Sequence, residues 1–200
     1  MAECYHPQLF VEQQSQKLES REMKRVITIG GLHGTGKSSV ADAVAKRFNL
    51  RRISAGATFR KLAKERGLTL EEFCRVAEGD EEIDKLIDDT QKQEAKRGNA
   101  VIDGQLAAWM AGEYADLKIL LTAPLDVRIK RIAARDGSEF ELARRETIHR
   151  EGSEKARYLE YYKVDVSDLS IYDLILNTGK YSLEGVSKIV ITAVETYFDL

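Results

Sequence analysis

Little in this chain points to a secreted, membrane-spanning or metal-rich protein. Its 200 residues include two cysteines, Cys4 and Cys74, which lie too far apart to form a metal-ligand motif. We interpret both as reduced thiols, with Cys74 packed in a helix. No apolar run approaches the length of a membrane span and no segment resembles a signal peptide. These absences predict a cytoplasmic protein without a membrane partner.

The chain also lacks a strong excess of charge of either sign. Its formal net charge is −2, which argues against general electrostatic binding of nucleic acid. No repeat or low-complexity tract interrupts the domain. The length leaves room for one α/β domain with a sizeable core. We expect it to act as a monomer.

The first 22 residues differ from the rest of the chain. Residues 1–22 are polar and rich in Gln and Glu, so we expect an N-terminal extension that is poorly ordered or partly helical. The remainder, residues 23–200, is predicted to form the folded domain.

A complete phosphate-binding pattern, G-x-x-x-x-G-K-[ST], follows an apolar β run at residues 26–29. In such a P-loop the backbone N–H groups surround the phosphates, the lysine contacts the β- and γ-phosphates, and the hydroxyl reaches Mg²⁺. We therefore predict binding of a nucleoside triphosphate, ATP with Mg²⁺. The predicted contacts are Gly31, Leu32, His33 (through its backbone), Gly34, Thr35, Gly36, Lys37, Ser38 and Ser39.

Strands and helices alternate beyond this loop. We predict strands at residues 25–30, near 51–53, and at 99–103, 117–122 and 172–176. Apolar strands separated by helices indicate an α/β fold with a parallel sheet between two helical layers.

Capping patterns mark several helix starts. Thr69 with Glu72 forms a capping box, and Asp80 is a second cap, within a helical stretch at 56–97. Ser138 with Glu141 offers another capping box. The two inserted helical segments, after strands two and four, are typical of small P-loop kinases. The guanine-reading N-K-x-D and D-x-x-G patterns of GTPases are absent.

Two single residues are candidates for the second substrate and the metal. Arg60, near a helix start, suits a clamp on an acceptor phosphate, although a lone arginine there is more often solvated. Asp103 ends a predicted strand beside the P-loop strand, where a carboxylate can hold Mg²⁺ through water. The alternative for Asp103 is a strand-end turn residue.

A segment from Arg128 to Arg157 is rich in basic residues. Arg128, Arg131 and Arg135 recur on one helix face, and Arg150 follows. Such a stripe is usually a solvated face. In a phosphotransferase the arginines of a closing lid can stabilise the charge of the transferring phosphoryl group.

The chain resembles the archaeal-type cytidylate kinases in three segments. Residues 157–174 read R-Y-L-E-Y-Y-K-V-D-V-S-D-L-S-I-Y-D-L, residues 55–63 read A-G-A-T-F-R-K-L-A, and residues 146–158 are similar to that family's lid pattern. The similarity covers residues 24–198. It implies the three-layer α/β/α fold of P-loop nucleoside monophosphate (NMP) kinases. Such a fold has a five-stranded parallel sheet, an NMP-binding insertion at about 55–97 and a lid at about 135–151.

The resemblance also implies roles for particular residues in transfer of the γ-phosphoryl group of ATP to CMP or dCMP. Lys37, Asp103, Arg131 and Arg150 would be the catalytic group, with Ser38 and Asp103 serving Mg²⁺. Arg60 and Arg157 would bind the CMP phosphate, Asp165 would contact the nucleoside, and Asn177 and Thr178 would lie near the donor base. Gln105, a further substrate-binding candidate, stands where the family commonly has arginine, so the preferred acceptor stays open.

Two other functions remain compatible with the sequence. One is a small P-loop kinase with a different acceptor, such as AMP, shikimate, gluconate or a ribosome-associated substrate. The other is a non-enzymatic module in which a bound nucleotide orders a binding surface. The basic lid favours an enzyme, because a pure switch does not need a charge clamp.

Overall fold

The computed structural model describes residues 24–200, so the predicted N-terminal extension lies outside the described residues. Five short segments pair in parallel into one sheet in the spatial order β2-β3-β1-β4-β5. The predicted strands are confirmed within two residues at either end. They are β1 (Val26–Gly30), β2 (Arg51–Ser54), β3 (Ala100–Asp103), β4 (Leu117–Thr122) and β5 (Leu174–Asn177).

Helices connect the strands and cover both faces of the sheet. Across residues 24–200, no helix combines the length and the apolar character that a membrane crossing requires. The helices are α1 (Lys37–Phe48), α2 (Ala55–Glu65), α3 (Leu70–Glu78), α4 (Glu81–Arg97), α5 (Ala107–Ala111), α6 (Leu125–Asp136), α7 (Phe140–Tyr162) and α8 (Leu183–Tyr197).

The central strand β1 shows why the fold has three layers. All five of its residues are buried, and successive side chains alternate between the two faces of the sheet. Ile27 and Ile29 pack with α1 and α8, whereas Val26 packs on the opposite face with the end of α4 and with α5. A strand buried on both faces needs helices on both faces, and the predicted fold class is confirmed.

The predicted helical stretch at 56–97 consists of three helices with a small core of their own. Phe59 and Phe73 stack there, with ring centroids 4.7 Å apart. Thr69 and Glu72 form the predicted reciprocal capping box at α3, and Asp80 caps α4. Cys74 packs against this core, as expected for a structural thiol.

One predicted cap is wrong. Helix α7 begins at Phe140 with Glu139 at its N-cap and no side-chain cap, so Ser138 does not form a capping box with Glu141. Gly137 adopts a left-handed conformation (φ 65°), and the Ser138 N–H donates to the Ala133 carbonyl of α6 at 3.1 Å. Ser138 therefore completes the end of α6 instead of starting α7.

The predicted lid at 135–151 consequently maps onto the end of α6, a three-residue turn and the first half of α7. Apolar residues Ile129, Ile132 and Ala143 pack α6 and α7 together. Movement of this pair as a lid stays a prediction.

Candidate active site

A cavity of about 610 Å³ opens at the carboxyl ends of the strands. This is the edge at which open α/β sheets bind ligands. The P-loop forms one wall, and the starts of α2 and α8 contribute to others. Residues that the sequence predicts to be part of the functional site line this cavity together, although they come from widely separated segments: Lys37, Ser38, Arg60, Asp103, Gln105, Arg131, Arg150 and Thr178.

Glycines allow the P-loop to pack closely against its neighbours. Gly31 has a φ of +138°, and a Cβ there would lie 2.2 Å from the Leu121 carbonyl oxygen. Gly34 has a φ of +77°, and its Cβ would lie 2.6 Å from the Arg128 carbonyl oxygen. A side chain at either position would strain the backbone and displace the loop.

Lys37 is positioned by the loop that precedes it. Its ammonium donates to the Leu32 carbonyl at 2.8 Å, and the Thr35 hydroxyl donates to the same oxygen at 2.8 Å. Burial lowers the pKa of Lys37 to about 8, although the nearby Asp103 and Glu154 carboxylates favour the charged form. Lys37 is thus an enclosed cation beside the loop that would hold phosphate.

Asp103 lies at the floor of the cavity with both oxygens engaged. Oδ2 accepts from the Ser38 hydroxyl at 3.2 Å and from the Ser54 hydroxyl at 3.1 Å. Oδ1 accepts from Arg52 Nε at 3.1 Å. The sequence reasoning missed Arg52 and Ser54, which fix the carboxylate and balance its charge.

The pair of Ser38 and Asp103 fits a Mg²⁺ site of the P-loop type. One hydroxyl and one carboxylate adjoin at the phosphate wall, and Mg²⁺ commonly uses few protein oxygens together with waters and phosphates. Residues 24–200 contain no cluster of three or more acidic, His or Cys side chains placed to hold a metal ion.

Arg60 of α2 presents a further cation to the cavity. No carboxylate within the described chain forms an ion pair with it, and burial together with Arg135 and Arg150 lowers its pKa. The side chain packs beside Gly56, where an added Cβ would lie 3.4 Å from Arg60 Nη1. A guanidinium that lines a cavity without a counter-charge is suited to an anionic ligand.

Arg131 reaches the cavity but already has partners. Its Nη1 and Nη2 each donate to Thr178 at 2.9 Å, to the hydroxyl and the carbonyl respectively, and Nη1 lies 3.3 Å from the Gly34 carbonyl. Arg131 therefore joins the P-loop to the segment after β5. Asn177 is exposed, and its side chain accepts from the Gly179 N–H at 2.9 Å.

Two predicted substrate residues lie outside the cavity lining. Arg157 is buried, and its guanidinium donates to Asp84 at 2.7 Å and to Ser153 at 2.6 Å. Asp165 is exposed, accepts from the Ser167 N–H at 2.9 Å and lies 3.8 Å from Lys155. In this conformation Arg157 contacts Asp84, which does line the cavity, whereas Asp165 is not among the lining residues.

The structure adds a buried carboxylate that the sequence reasoning missed. Glu154 of α7 accepts from Arg150 Nε at 2.8 Å, from His33 Nε2 at 2.8 Å and from the Gln105 amide. The sequence reasoning considered only the backbone of His33 and missed this side-chain contact. The residues are distant in sequence, and no local spacing signals their contact.

A second carboxylate joins the P-loop to α7. Glu151 accepts from the His33 backbone N–H at 3.1 Å and pairs with Arg128. Arg128 also donates to the His33 carbonyl at 3.0 Å. Arg128 is buried in this contact, so it is a structural member of the basic stripe and not a free cation.

The end of the cavity near α4 is acidic. Asp88 lines it without a cationic partner among the described residues, and burial raises its pKa to about 7. Gln91 Nε2 donates to Asp88 Oδ1 at 2.7 Å, while Gln91 Oε1 has no hydrogen-bond partner within residues 24–200. Helical spacing places Asp84, Asp88 and Gln91 on one face of α4, a signal that could have been read from the sequence.

Comparison with known proteins identifies relatives along most of the chain. The family model described as "Cytidylate kinase-like family" matches residues 26–180. A cytidylate kinase of Methanocaldococcus jannaschii is 48% identical over 173 residues, covering 85% of this chain and 97% of that protein. A cytidylate kinase of Haloarcula marismortui is 47% identical, covering 86% of this chain and 90% of that protein.

Solved structures share the architecture at much lower identity. A shikimate kinase of Acinetobacter baumannii, solved with shikimate, superposes with a TM-score of 0.58 at 14% identity, covering 89% of this chain and 97% of that one. A protein of Eubacterium ventriosum superposes with a TM-score of 0.63 at 18% identity, covering 86% of this chain and 98% of that one. These likenesses establish the kinase fold alone.

Proposed function

Because this chain belongs to the cytidylate kinase-like family, we propose that it transfers the γ-phosphoryl group of ATP to CMP or dCMP. The bond between the β,γ-bridging oxygen and the γ-phosphorus breaks, and a bond from an oxygen of the acceptor phosphate to that phosphorus forms. The products are ADP and CDP or dCDP. The acceptor oxygen is already anionic, so positioning and charge neutralisation account for catalysis.

The observation that carries this proposal is one cavity lined by cationic groups from two separate segments. Lys37 belongs to the P-loop end of α1, and Arg60 belongs to α2. An ATP held on the P-loop side directs its γ-phosphate toward a nucleotide phosphate held by Arg60. Arg150 of α7 lines the same cavity and can neutralise the transferring group.

Mg²⁺ would be held by the Ser38 hydroxyl directly and by Asp103 through water. When bound, it neutralises charge on the β- and γ-phosphates. Arg52 and Ser54 keep the Asp103 carboxylate at this place.

The acidic end of the cavity supports a nucleoside acceptor. Asp84, which is paired with Arg157, and Asp88, which forms no ion pair within residues 24–200, both line the cavity from α4, and carboxylate oxygens accept from hydrogen-bond donors. The amino group of cytosine and the hydroxyls of ribose are such donors. A phosphate held by Arg60 therefore places the nucleoside toward α4.

The test is ADP formation from ATP and Mg²⁺ with a panel of acceptors: CMP, dCMP, UMP, AMP and shikimate. We expect CMP or dCMP to give the highest kcat/KM. Lys37→Ala should lower kcat by about a hundred- to a thousandfold, the range for losing one charge-stabilising group. Arg60→Ala should raise the KM for CMP about tenfold and leave that for ATP unchanged, whereas the exposed control Arg75→Ala should change neither.

Other outcomes identify the competing functions. Preferred turnover of AMP or shikimate would indicate a different small-molecule kinase. ATP binding without turnover of any acceptor in the panel would favour the nucleotide-gated module. Full activity of Lys37→Ala would remove Lys37 from the transfer step.

A further inference from the structure

The guanidinium of Arg150 is hydrogen-bonded along its Nε edge and leaves its two Nη nitrogens available. Its Nε donates to Glu154 Oε1 at 2.8 Å, and its guanidinium lies 5.2 Å from the Phe59 ring centroid. Among residues 24–200, neither Nη nitrogen has a hydrogen-bond partner, and the side chain lines the cavity. The two free nitrogens form the donor fork that a phosphate accepts.

Glu154 is itself fixed from outside its own helix. Its Oε2 accepts from His33 Nε2 at 2.8 Å and from the Gln105 amide nitrogen. The carboxylate is buried, and the neighbouring His33 and Arg150 hold its pKa well below the usual range. Burial lowers the pKa of His33 while the Glu154 carboxylate raises it, and a carboxylate can only accept the hydrogen bond at this 2.8 Å contact.

These contacts join three segments that the proposed reaction uses. His33 belongs to the P-loop, Gln105 follows β3 two residues after Asp103, and Glu154 lies one helical turn beyond Arg150 on α7. Hydrogen bonds at both oxygens fix the orientation of the Glu154 carboxylate. The bond from Arg150 Nε to this fixed carboxylate in turn orients the Arg150 guanidinium.

We propose that Glu154 is the positioning residue for Arg150, held in place by His33 and Gln105. It fixes the Nε edge so that both Nη nitrogens face the transferring phosphoryl group. This inference rests on the proposed phosphoryl transfer but adds residues to which the sequence comparison assigns no such role.

The proposal also gives Gln105 a role. Gln105 lines the cavity and directs its amide nitrogen to Glu154. A neutral donor holds the carboxylate without competing with Arg150 for its negative charge. Arginine at this position would bring a second cation to the same oxygen.

The experiment is a double-mutant cycle with Glu154→Gln and Arg150→Ala, assayed with ATP, Mg²⁺ and CMP. We expect Glu154→Gln to lower kcat about ten- to a hundredfold with little change in the KM for ATP, the effect of misplacing one charged hydrogen-bonding group. In the Arg150→Ala background the same change should have no further effect, because Glu154 acts through Arg150.

Two further variants distinguish a positioning role of Glu154 from a purely structural one. Gln105→Met removes the amide donor at similar volume and should lower kcat by a smaller factor, again only when Arg150 is present. Glu160→Gln alters an exposed glutamate of the same helix and should leave kcat unchanged. Thermal unfolding of each variant checks that it is folded, and Gln105→Met supplies the cycle if Glu154→Gln is not.

An equal loss of kcat in both backgrounds would overturn the proposal, as would an unchanged or raised kcat in Glu154→Gln. A raised kcat would mean that Glu154 competes with phosphate for Arg150. Failure of the proposed function is visible separately, because the wild-type protein would then not convert CMP.

Discussion

At the scale of single residues, Lys37 combines a positive charge with an enclosed position. Its pKa of about 8 in the free protein reflects burial. Bound polyphosphate favours the ammonium form and raises this pKa. Below about pH 8 the Lys37 amine is protonated both in the free protein and in the nucleotide complex. Above that pH the amine of the free protein is mostly neutral, so Lys37 must take up a proton when ATP binds.

We therefore predict that affinity for ATP falls as the pH rises above about 8, by up to tenfold per unit. Calorimetry in two buffers of different ionisation enthalpy should detect proton uptake at about pH 8.5. Lys37→Arg is the matched control because its guanidinium stays charged, and its subtraction removes the titration of ATP itself. Equal proton uptake by both proteins would show that another group titrates.

The sequence predicted local features of the site better than distant contacts. Gly34, Lys37 and Ser38 follow a fixed local spacing, so the motif alone places them around phosphate. Glu154 receives donors from His33 and Gln105, which only the folded sheet brings to it. Residues joined by tertiary packing leave no periodic signal.

At the scale of secondary-structure elements, α3 depends on its capping box. The Thr69 hydroxyl accepts from the Glu72 N–H at 3.2 Å, and Glu72 accepts from the Thr69 N–H at 2.8 Å. Thr69→Ala should lower the free energy of unfolding by about 1 kcal/mol, the usual value for a lost N-cap. Urea unfolding measures this change.

Thr196→Ala is the matched control for this prediction. The Thr196 hydroxyl donates to the Thr192 carbonyl within α8 at 2.8 Å and is exposed. Its loss removes no cap, and alanine favours the helix. A destabilisation equal to that of Thr69→Ala would contradict a specific capping effect.

The predicted element boundaries show which patterns are decisive. The strands β1 and β3 are found within two residues because each coincides with a short run whose side chains are buried on both faces. The edge strands β2 and β5 are only partly buried. The cap at Ser138 was wrong because the left-handed Gly137 draws that residue into the end of α6. Where the signal for the end of one helix and the signal for the start of the next overlap by a few residues, as at Gly137 and Ser138, the sequence does not show which one prevails.

At the scale of the whole molecule, stability and acceptor binding rest on different groups of apolar residues. The sheet, α1 and α8 share one core, in which Ile119 is fully buried. Helices α2 to α4 share another, in which Phe73 is fully buried against Phe59. Phe59 lines the cavity beside Arg60 and lies beneath the guanidinium of Arg150.

This division predicts different kinetics for two destabilising substitutions. Ile119→Ala and Phe73→Ala should each lower the free energy of unfolding by several kcal/mol, about 2–5 and 3–5 respectively. Where both variants remain folded, only Phe73→Ala should raise the KM for CMP, because it releases Phe59 and with it Arg60 and Arg150. Urea unfolding combined with initial-rate kinetics separates the two effects. An equal rise in KM for both variants would show that the acceptor wall depends on the sheet core as much as on its own, which the packing around Phe73 argues against.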